Sequence, residues 1–359
     1  MLRSRLLGVG SYLPERIVTN DDLAKIVDTS DEWIMERIGV KTRHILKPEQ
    51  GSGTSYMMSR AVSQLLRKTQ VAPESVELVI CATTTPDYHF PSTASLVIGK
   101  CGLTAAFGFD MEAACAGFLY AMETGASFIR SGRYKRIIVC GGDHMSSMTN
   151  YEDRNSCPIF GDGAACVMME ATTEEVGLLD GYYRVDGQGF QNLHMAAGGS
   201  AKMPSHETVE AREHFVYQEG RSVYKHAVLD MTSAVKTIVK RNDLNKDNID
   251  WVVPHQANIN IEVSVAQRIG IDEDHVMINI DHMANTSGGT LPLCLWEYEP
   301  RLKKGDKLVF TAFGAGFTWG ASYMVWGYDG AKEAAKEPAQ FYKEGLMTRE
   351  EWYKLRRDA

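Results

Sequence analysis

Three side chains have types and placements that could carry chemistry. Cys115, in EAACAGF, follows a short alternating stretch from Ala106 to Met111 and opens a segment of helical periodicity. A thiol in the first turn of a helix meets the positive end of the helix dipole, which favours thiolate and lowers the pKa by about one unit or more. Ala113, Ala114, Ala116 and Gly117 around it are small enough to let a substrate approach the sulfur. His255, in VVPHQAN, ends an apolar strand pattern, where a neutral imidazole can give or take a proton. Asn285, in MANTSGGT, could donate an amide N–H to an anion. The glycine-rich run AFGAGFTWG (312–320) could offer a backbone N–H to a developing oxyanion. Singly, each has a plain structural reading: a buried thiol, a satisfied core histidine, an N-cap and a close-packed turn.

Their joint placement raises all of them, because the chain repeats its layout once at an offset of about 171 residues. SVELVICATTT, FGFDMEAACAGF and SGRYKRIIVCGGD recur as NIDWVVPHQAN, VMINIDHMANTSGG and KKGDKLVFTAFGAG. Val79 then pairs with Val252, Cys115 with Asn285 and Ile137 with Leu308. Each half alternates β-branched strands with helical segments, which predicts a layered α/β architecture. The pseudo-symmetry is expected to bring the helix starts at Cys115 and Asn285 face to face in one cleft. The halves are drawn at 1–172 and 173–328, followed by a charged, helix-prone extension at 329–359.

The other elements follow from local signals. Thr29-Ser30-Asp31-Glu32 reads as a capping box opening a helix that carries Trp33 and Arg37, and Thr19 or Asn20 caps a shorter helix before it. Residues 55–69 read as an amphipathic helix. Residues 187–220 show no sustained period and read as a long functional loop. A net charge of −8, from 38 Lys+Arg against 46 Asp+Glu, argues against a nucleic-acid or anionic-membrane partner. No apolar run approaches the roughly 18–20 residues that span a bilayer. Seven cysteines lie mostly in apolar runs with no C-x-x-C pair, which reads as reduced thiols in a cytoplasmic protein and not as a metal site.

Taken in order and spacing, AACAGF, PHQAN, NTSGG and AFGAGFTWG resemble the thiolase superfamily, and within it the 3-oxoacyl-[acyl-carrier-protein] synthase III family. TSDEWIMERIGV, ATTTPDYHFPS and IFGDGAA agree, so the resemblance spans about residues 3–327. It implies a five-layered α-β-α-β-α fold and a homodimer. It also implies a Cys115–His255–Asn285 triad that condenses a short acyl-CoA primer with malonyl-acyl carrier protein through an acyl-cysteine, initiating fatty acid synthesis. No cofactor is implied beyond the coenzyme A thioester substrate. The backbone N–H groups of Cys115 and Ala315 would form the oxyanion hole. Trp33, Arg37, Arg154 and Asn258 would bind coenzyme A, Phe90 (reaching across the dimer) and Tyr224 would shape the acyl pocket, and Lys225 and Arg268 would meet the carrier.

The chain departs from the family pattern at Asn260, where relatives usually carry the arginine of PHQAN-x-R, and at Gln267-Arg268, where they often carry two lysines. A less basic docking face steers an acidic carrier more weakly. The alternative reading is a specialised relative handling medium or long acyl groups in secondary metabolism.

Overall fold

The computed structural model describes residues 2–47 and 53–336. One sheet holds β1 (Arg3–Tyr12), β2 (Leu78–Ala82), β3 (Phe107–Met111), β4 (Arg136–His144) and β5 (Asp162–Thr172), in the order β1-β5-β4-β2-β3. A second holds β6 (Gly177–Val185), β7 (Trp251–Pro254), β8 (Lys307–Gly314) and β9 (Thr318–Val325), in the order β7-β8-β9-β6. Helices α1 (Thr54–Thr69), α2 (Thr93–Cys101), α3 (Gly117–Arg130), α4 (Gly220–Arg241), α5 (Ile259–Ile269) and α6 (Thr290–Tyr298) pack on them.

The central strands β2, β4 and β8 are buried on both faces, so both faces of each sheet are covered. In β4, Ile137 and Val139 face the cluster containing Phe118, Leu119, Leu291 and Leu295 of α3 and α6, and residues of the second sheet share that cluster. Ile138 and Cys140 of the same strand face α1 and α2. On the far side, Val252 and Val309 of the second sheet meet Ala234, Val235 and Ala266 of α4 and α5. Five layers result: α1 and α2, sheet, α3 and α6, sheet, α4 and α5. Phe118 is fully buried in the middle layer, a burial that contributes about 1.5–3 kcal/mol.

The repeat read from the sequence is present in strand register. Val79 pairs with Ile138 in a parallel ladder, and Val252 pairs with Val309 in another. A bridge between Val252 and Val276 stands where β3 pairs with β2 in the first sheet. Residues ending β2 and β7 with inward parity therefore aim at the middle layer, where α3 and α6 begin. That parity puts His255 there, two residues beyond inward-facing Val253.

Residues 187–220, read as a long functional loop, hold short regular elements and contribute Leu193–Met195 and Val216–Gly220 to the cavity described below. They form a 3₁₀ turn (Gly187–Asn192), a two-stranded ribbon pairing Leu193–Met195 with Val216–Gln218, and a short helix (His206–Glu210) capped by Ser205. Elements this short carry too few residues to display a period. The helix carrying Trp33 spans Asp31–Arg37 and is capped by Ser30, whose Oγ accepts from the Trp33 N–H. Thr19 caps the helix before it. Of the C-terminal extension, Gly330–Lys336 is helical, and the rest lies outside the described residues.

Candidate active site

Cys115 sits in a 3₁₀ turn, Ala114–Ala116, that runs directly into α3. Ala114 has φ +47°, in the left-handed region, so the chain turns sharply immediately before the cysteine. Ala284, preceding Asn285, also has a positive φ, +59°. After Asn285 the chain makes a second 3₁₀ turn, Ser287–Gly289, and enters α6.

Two glycines let these turns close on the opposite half. A Cβ on Gly314, at the end of β8, would lie 2.7 Å from the Cys115 backbone nitrogen. A Cβ on Gly141, in β4, would lie 2.2 Å from the Gly288 carbonyl oxygen. Thr318 reinforces the first contact by donating to the Ala113 carbonyl at 2.9 Å. Asp143, fully buried, reinforces the second. Its Oδ1 accepts from Thr83 Oγ1 (2.7 Å), Thr84 N (2.7 Å) and Thr85 N (3.0 Å), while Oδ2 accepts from Gly288 N (3.0 Å).

The result is one cavity of about 730 Å³, lined by Cys115, His255, Asn285 and Ala315 and, farther out, by Trp33, Arg37, Asn258 and Tyr224. Cys115 Sγ lies 3.7 Å from Ser287 Oγ. Asn285 Oδ1 accepts the Ser287 N–H at 2.8 Å. This joins the two readings of that residue, because the oxygen caps the turn and the amide N–H₂ is the end left for the cavity. The His255 backbone N–H is fixed to the Thr311 carbonyl at 2.8 Å, and its Nδ1 lies 2.7 Å from Thr290 Oγ1. Gln256 braces the same loop. It donates to the carbonyls of Pro254 and Met277 and accepts from the N–H groups of Asn279 and Ile280.

Electrostatics corrects one expectation. Burial pushes the Cys115 thiol up to about 12; the contact with Ser287 opposes the rise, while Asp143 and Glu112 add to it. Desolvation outweighs the helix start here, so the resting group is a neutral thiol. Burial also lowers His255 to about 3, which keeps the imidazole uncharged.

The other expected residues are distributed unevenly. Arg154 lies with its guanidinium carbon 4.8 Å from the Trp33 ring centroid and pairs with Asp28. Both ends of the Asn258 amide are engaged: Oδ1 accepts from Asn260 N at 2.9 Å, and Nδ2 donates to the Arg37 carbonyl at 2.8 Å. Asn260 Nδ2 reaches the carbonyls of Glu36 and Arg37. Lys225 and Arg268 are exposed on α4 and α5. Phe90 does not line this cavity and stands 87% exposed, beside the exposed Tyr88. Sequence reading missed Asp143, Ser287, Thr290 and Glu112. Glu112 lines the cavity and accepts the Ala114 N–H at 2.9 Å, and burial raises its carboxyl. The threonine run 83–85 was the available signal for Asp143. Among the described residues no group of three or more His, Cys, Asp or Glu could hold a metal ion, and no helix is long and apolar enough to cross a membrane.

Comparison with known proteins identifies the family. The family pattern of 3-oxoacyl-[acyl-carrier-protein (ACP)] synthase III matches residues 109–187, and its C-terminal counterpart matches 239–326. A beta-ketoacyl-[acyl-carrier-protein] synthase III 2 from Bacteroides thetaiotaomicron is 59% identical, covering 92% of this chain and 98% of its own. This chain belongs to the 3-oxoacyl-[acyl-carrier-protein] synthase III family. A synthase III from Phocaeicola vulgatus is likewise 59% identical, over 91% of this chain and 98% of its own. The crystal structure of the synthase III from Aquifex aeolicus superposes with a TM-score of 0.83 at 35% identity, covering 90% of this chain and all of that one. The thiolase-like layering expected from the motifs is thus the fold of this synthase III.

Proposed function

We propose that this synthase III condenses a short acyl-CoA primer with malonyl-acyl carrier protein, and that Cys115, His255 and Asn285 divide the work. The observation that carries the reading is a single cavity lined by a thiol, an uncharged imidazole and an oriented amide. In the first half-reaction Cys115 sulfur attacks the acyl carbonyl. The carbon–sulfur bond to coenzyme A breaks, and the thiol proton leaves with the coenzyme A thiol. In the second, the bond between the malonyl methylene and its carboxylate breaks. Carbon dioxide departs, and the electron pair enters an enolate whose oxygen is held by N–H groups of His255 and Asn285. The enolate carbon attacks the acyl-cysteine. The resulting oxyanion is held by the backbone N–H groups of Cys115 and Ala315, the carbon–sulfur bond breaks, and the departing Cys115 thiolate takes one proton from solvent.

A neutral donor suits this step. An imidazolium would stabilise the malonyl carboxylate in the ground state as well as the enolate, whereas a buried neutral imidazole acts mainly on charge that develops. The Trp33 ring, with Arg154 over it and Arg37 lining the same cavity, is apt for the adenine end of coenzyme A. The exposure of Phe90 supports a homodimer in which this ring enters the partner's acyl pocket and restricts the primer to short chains. Lys225 and Arg268 would meet the acidic carrier, in a cytoplasmic setting.

The test is intact-mass measurement after incubation with acyl-CoAs from acetyl to dodecanoyl, with Cys115→Ala as control. Acetyl labelling that vanishes in the control, followed by carbon dioxide release on adding malonyl carrier protein, is the expected result. Labelling by medium or long chains alone would reject Phe90 as the limit and favour the specialised alternative. Product formation without carbon dioxide would overturn the condensation.

A further inference from the structure

The hydroxyl of Thr290 faces two possible acceptors. His255 Nδ1 lies 2.7 Å from Thr290 Oγ1, and the Ser287 carbonyl oxygen lies 3.1 Å from it. Both side chains are buried, with 3% exposure at His255 and 2% at Thr290. A threonine hydroxyl has one proton, and a carbonyl oxygen can only accept. Only two arrangements therefore satisfy the trio. If the hydroxyl donates to Ser287, it must accept from an Nδ1–H, and Nε2 is left without a proton. If it donates to Nδ1, the single proton of the neutral ring resides on Nε2.

Two observations favour the second arrangement. The Ser287 carbonyl already accepts the Thr290 backbone N–H, which closes the 3₁₀ turn, so it is satisfied without the hydroxyl. The 3.1 Å from Oγ1 to the Ser287 oxygen is also long for an O–H···O bond, whereas 2.7 Å suits an O–H donating to Nδ1. We propose that Thr290 is a positioning residue that sets the tautomer of His255, donating to Nδ1 and thereby directing an Nε2–H into the cavity. This rests on the assignment of His255 as the donor to the enolate oxygen. Such a donor needs a proton on the cavity-facing nitrogen, and burial leaves no imidazolium to supply one on both. The hydroxyl plays no part in forming the acyl-cysteine, so its loss separates the two half-reactions.

The experiment combines ¹⁵N-histidine spectra with half-reaction rates for the full chain, its Thr290→Val, Thr290→Ser and His255→Ala variants. In the parent, His255 is expected to show a protonated Nε2 and a lone-pair Nδ1. Thr290→Val should shift this population toward Nδ1–H and slow malonyl decarboxylation by the acetyl-enzyme about tenfold, the effect of one lost hydrogen bond. Its Cys115 acetylation rate should stay within about twofold, and Thr290→Ser should restore both spectrum and rate. A parent ring protonated on Nδ1 would overturn the proposal even if Thr290→Val fails to fold. So would a folded Thr290→Val that decarboxylates at the parent rate while His255→Ala does not. Normal decarboxylation by His255→Ala would instead remove the enolate-donor role, leaving the spectra to decide the tautomer alone.

Discussion

The two halves place different chemistry on the same frame. At the inward end of β2 the first half has Ala82, where the second half has His255 at the end of β7. Each half then turns through an alanine of positive φ, followed by Cys115 in one and Asn285 in the other. The first half enters its helix two residues after Cys115, so a single reactive sulfur stands among small side chains. The second half enters its helix at Thr290, five residues after Asn285, and this longer turn brings in the Ser287 and Thr290 hydroxyls. On the function proposed above, one half would deliver the nucleophile and the other, through His255 and Asn285, the donors for the enolate oxygen. A duplicated fold can thus diversify at its turns while its sheets keep their register.

The sharpest way to break this division is to damage one half at a time. Cys115→Ala should remove acylation and condensation together, a loss of more than about a thousandfold. Asn285→Ala should leave acetylation of Cys115 largely intact and cut condensation by about a hundredfold or more, as expected for removing an oxyanion donor. Rapid-quench acetylation and carbon dioxide release measure the two separately. Equal loss of both in Asn285→Ala would mean that the second half also serves the nucleophile.

The next test concerns the contact that couples the halves. Asp143 accepts from the threonine run on one side and from Gly288 on the other, with no exposure to solvent. Asp143→Ala strands several buried donors and should cost about 3 kcal/mol, seen as a fall of several degrees in Tm by calorimetry. An unchanged Tm would show that the glycine contacts at Gly141 and Gly314 hold the turns by themselves.

What was legible in the sequence follows the same divide. Strand identity, the repeat and the meeting of Cys115 with Asn285 were readable, because period and offset are local properties summed along the chain. The convergence on Asp143 was not, since its partners at 83–85 and 288 are distant in sequence and a lone aspartate near the end of a strand has no period. The cysteine's protonation state failed for a related reason. The helix start is visible in sequence, but the desolvation that overrides it is set by packing from both halves.

That failure makes a pH experiment informative. With the thiol held up to about 12, the thiolate fraction rises tenfold per pH unit throughout the neutral range. Alkylation of Cys115 by iodoacetamide, measured against Cys115→Ala, should therefore climb steadily to pH 9 without a plateau. A plateau below pH 8 would restore the helix dipole as the dominant influence and make the two turns electrostatically less alike than burial implies.

The smallest expected effect lies at the outer end of the cavity, and it tests whether the first half also binds. One face of Trp33 is approached by Arg154, which its contact with Asp28 helps to hold. Stacking of this kind contributes about 1 kcal/mol. Trp33→Ala should therefore raise KM for acetyl-CoA about fivefold and leave kcat within twofold. The ring also packs beside Ile34 and Ile38, so truncation could loosen the helix Asp31–Arg37 instead. Acetyl-pantetheine separates these causes, because it delivers the same thioester without an adenine. If the ring stacks on the base, the variant and the parent should use acetyl-pantetheine equally well. An equal KM increase with both substrates would assign Trp33 to the packing of its helix and leave adenine recognition to the arginines.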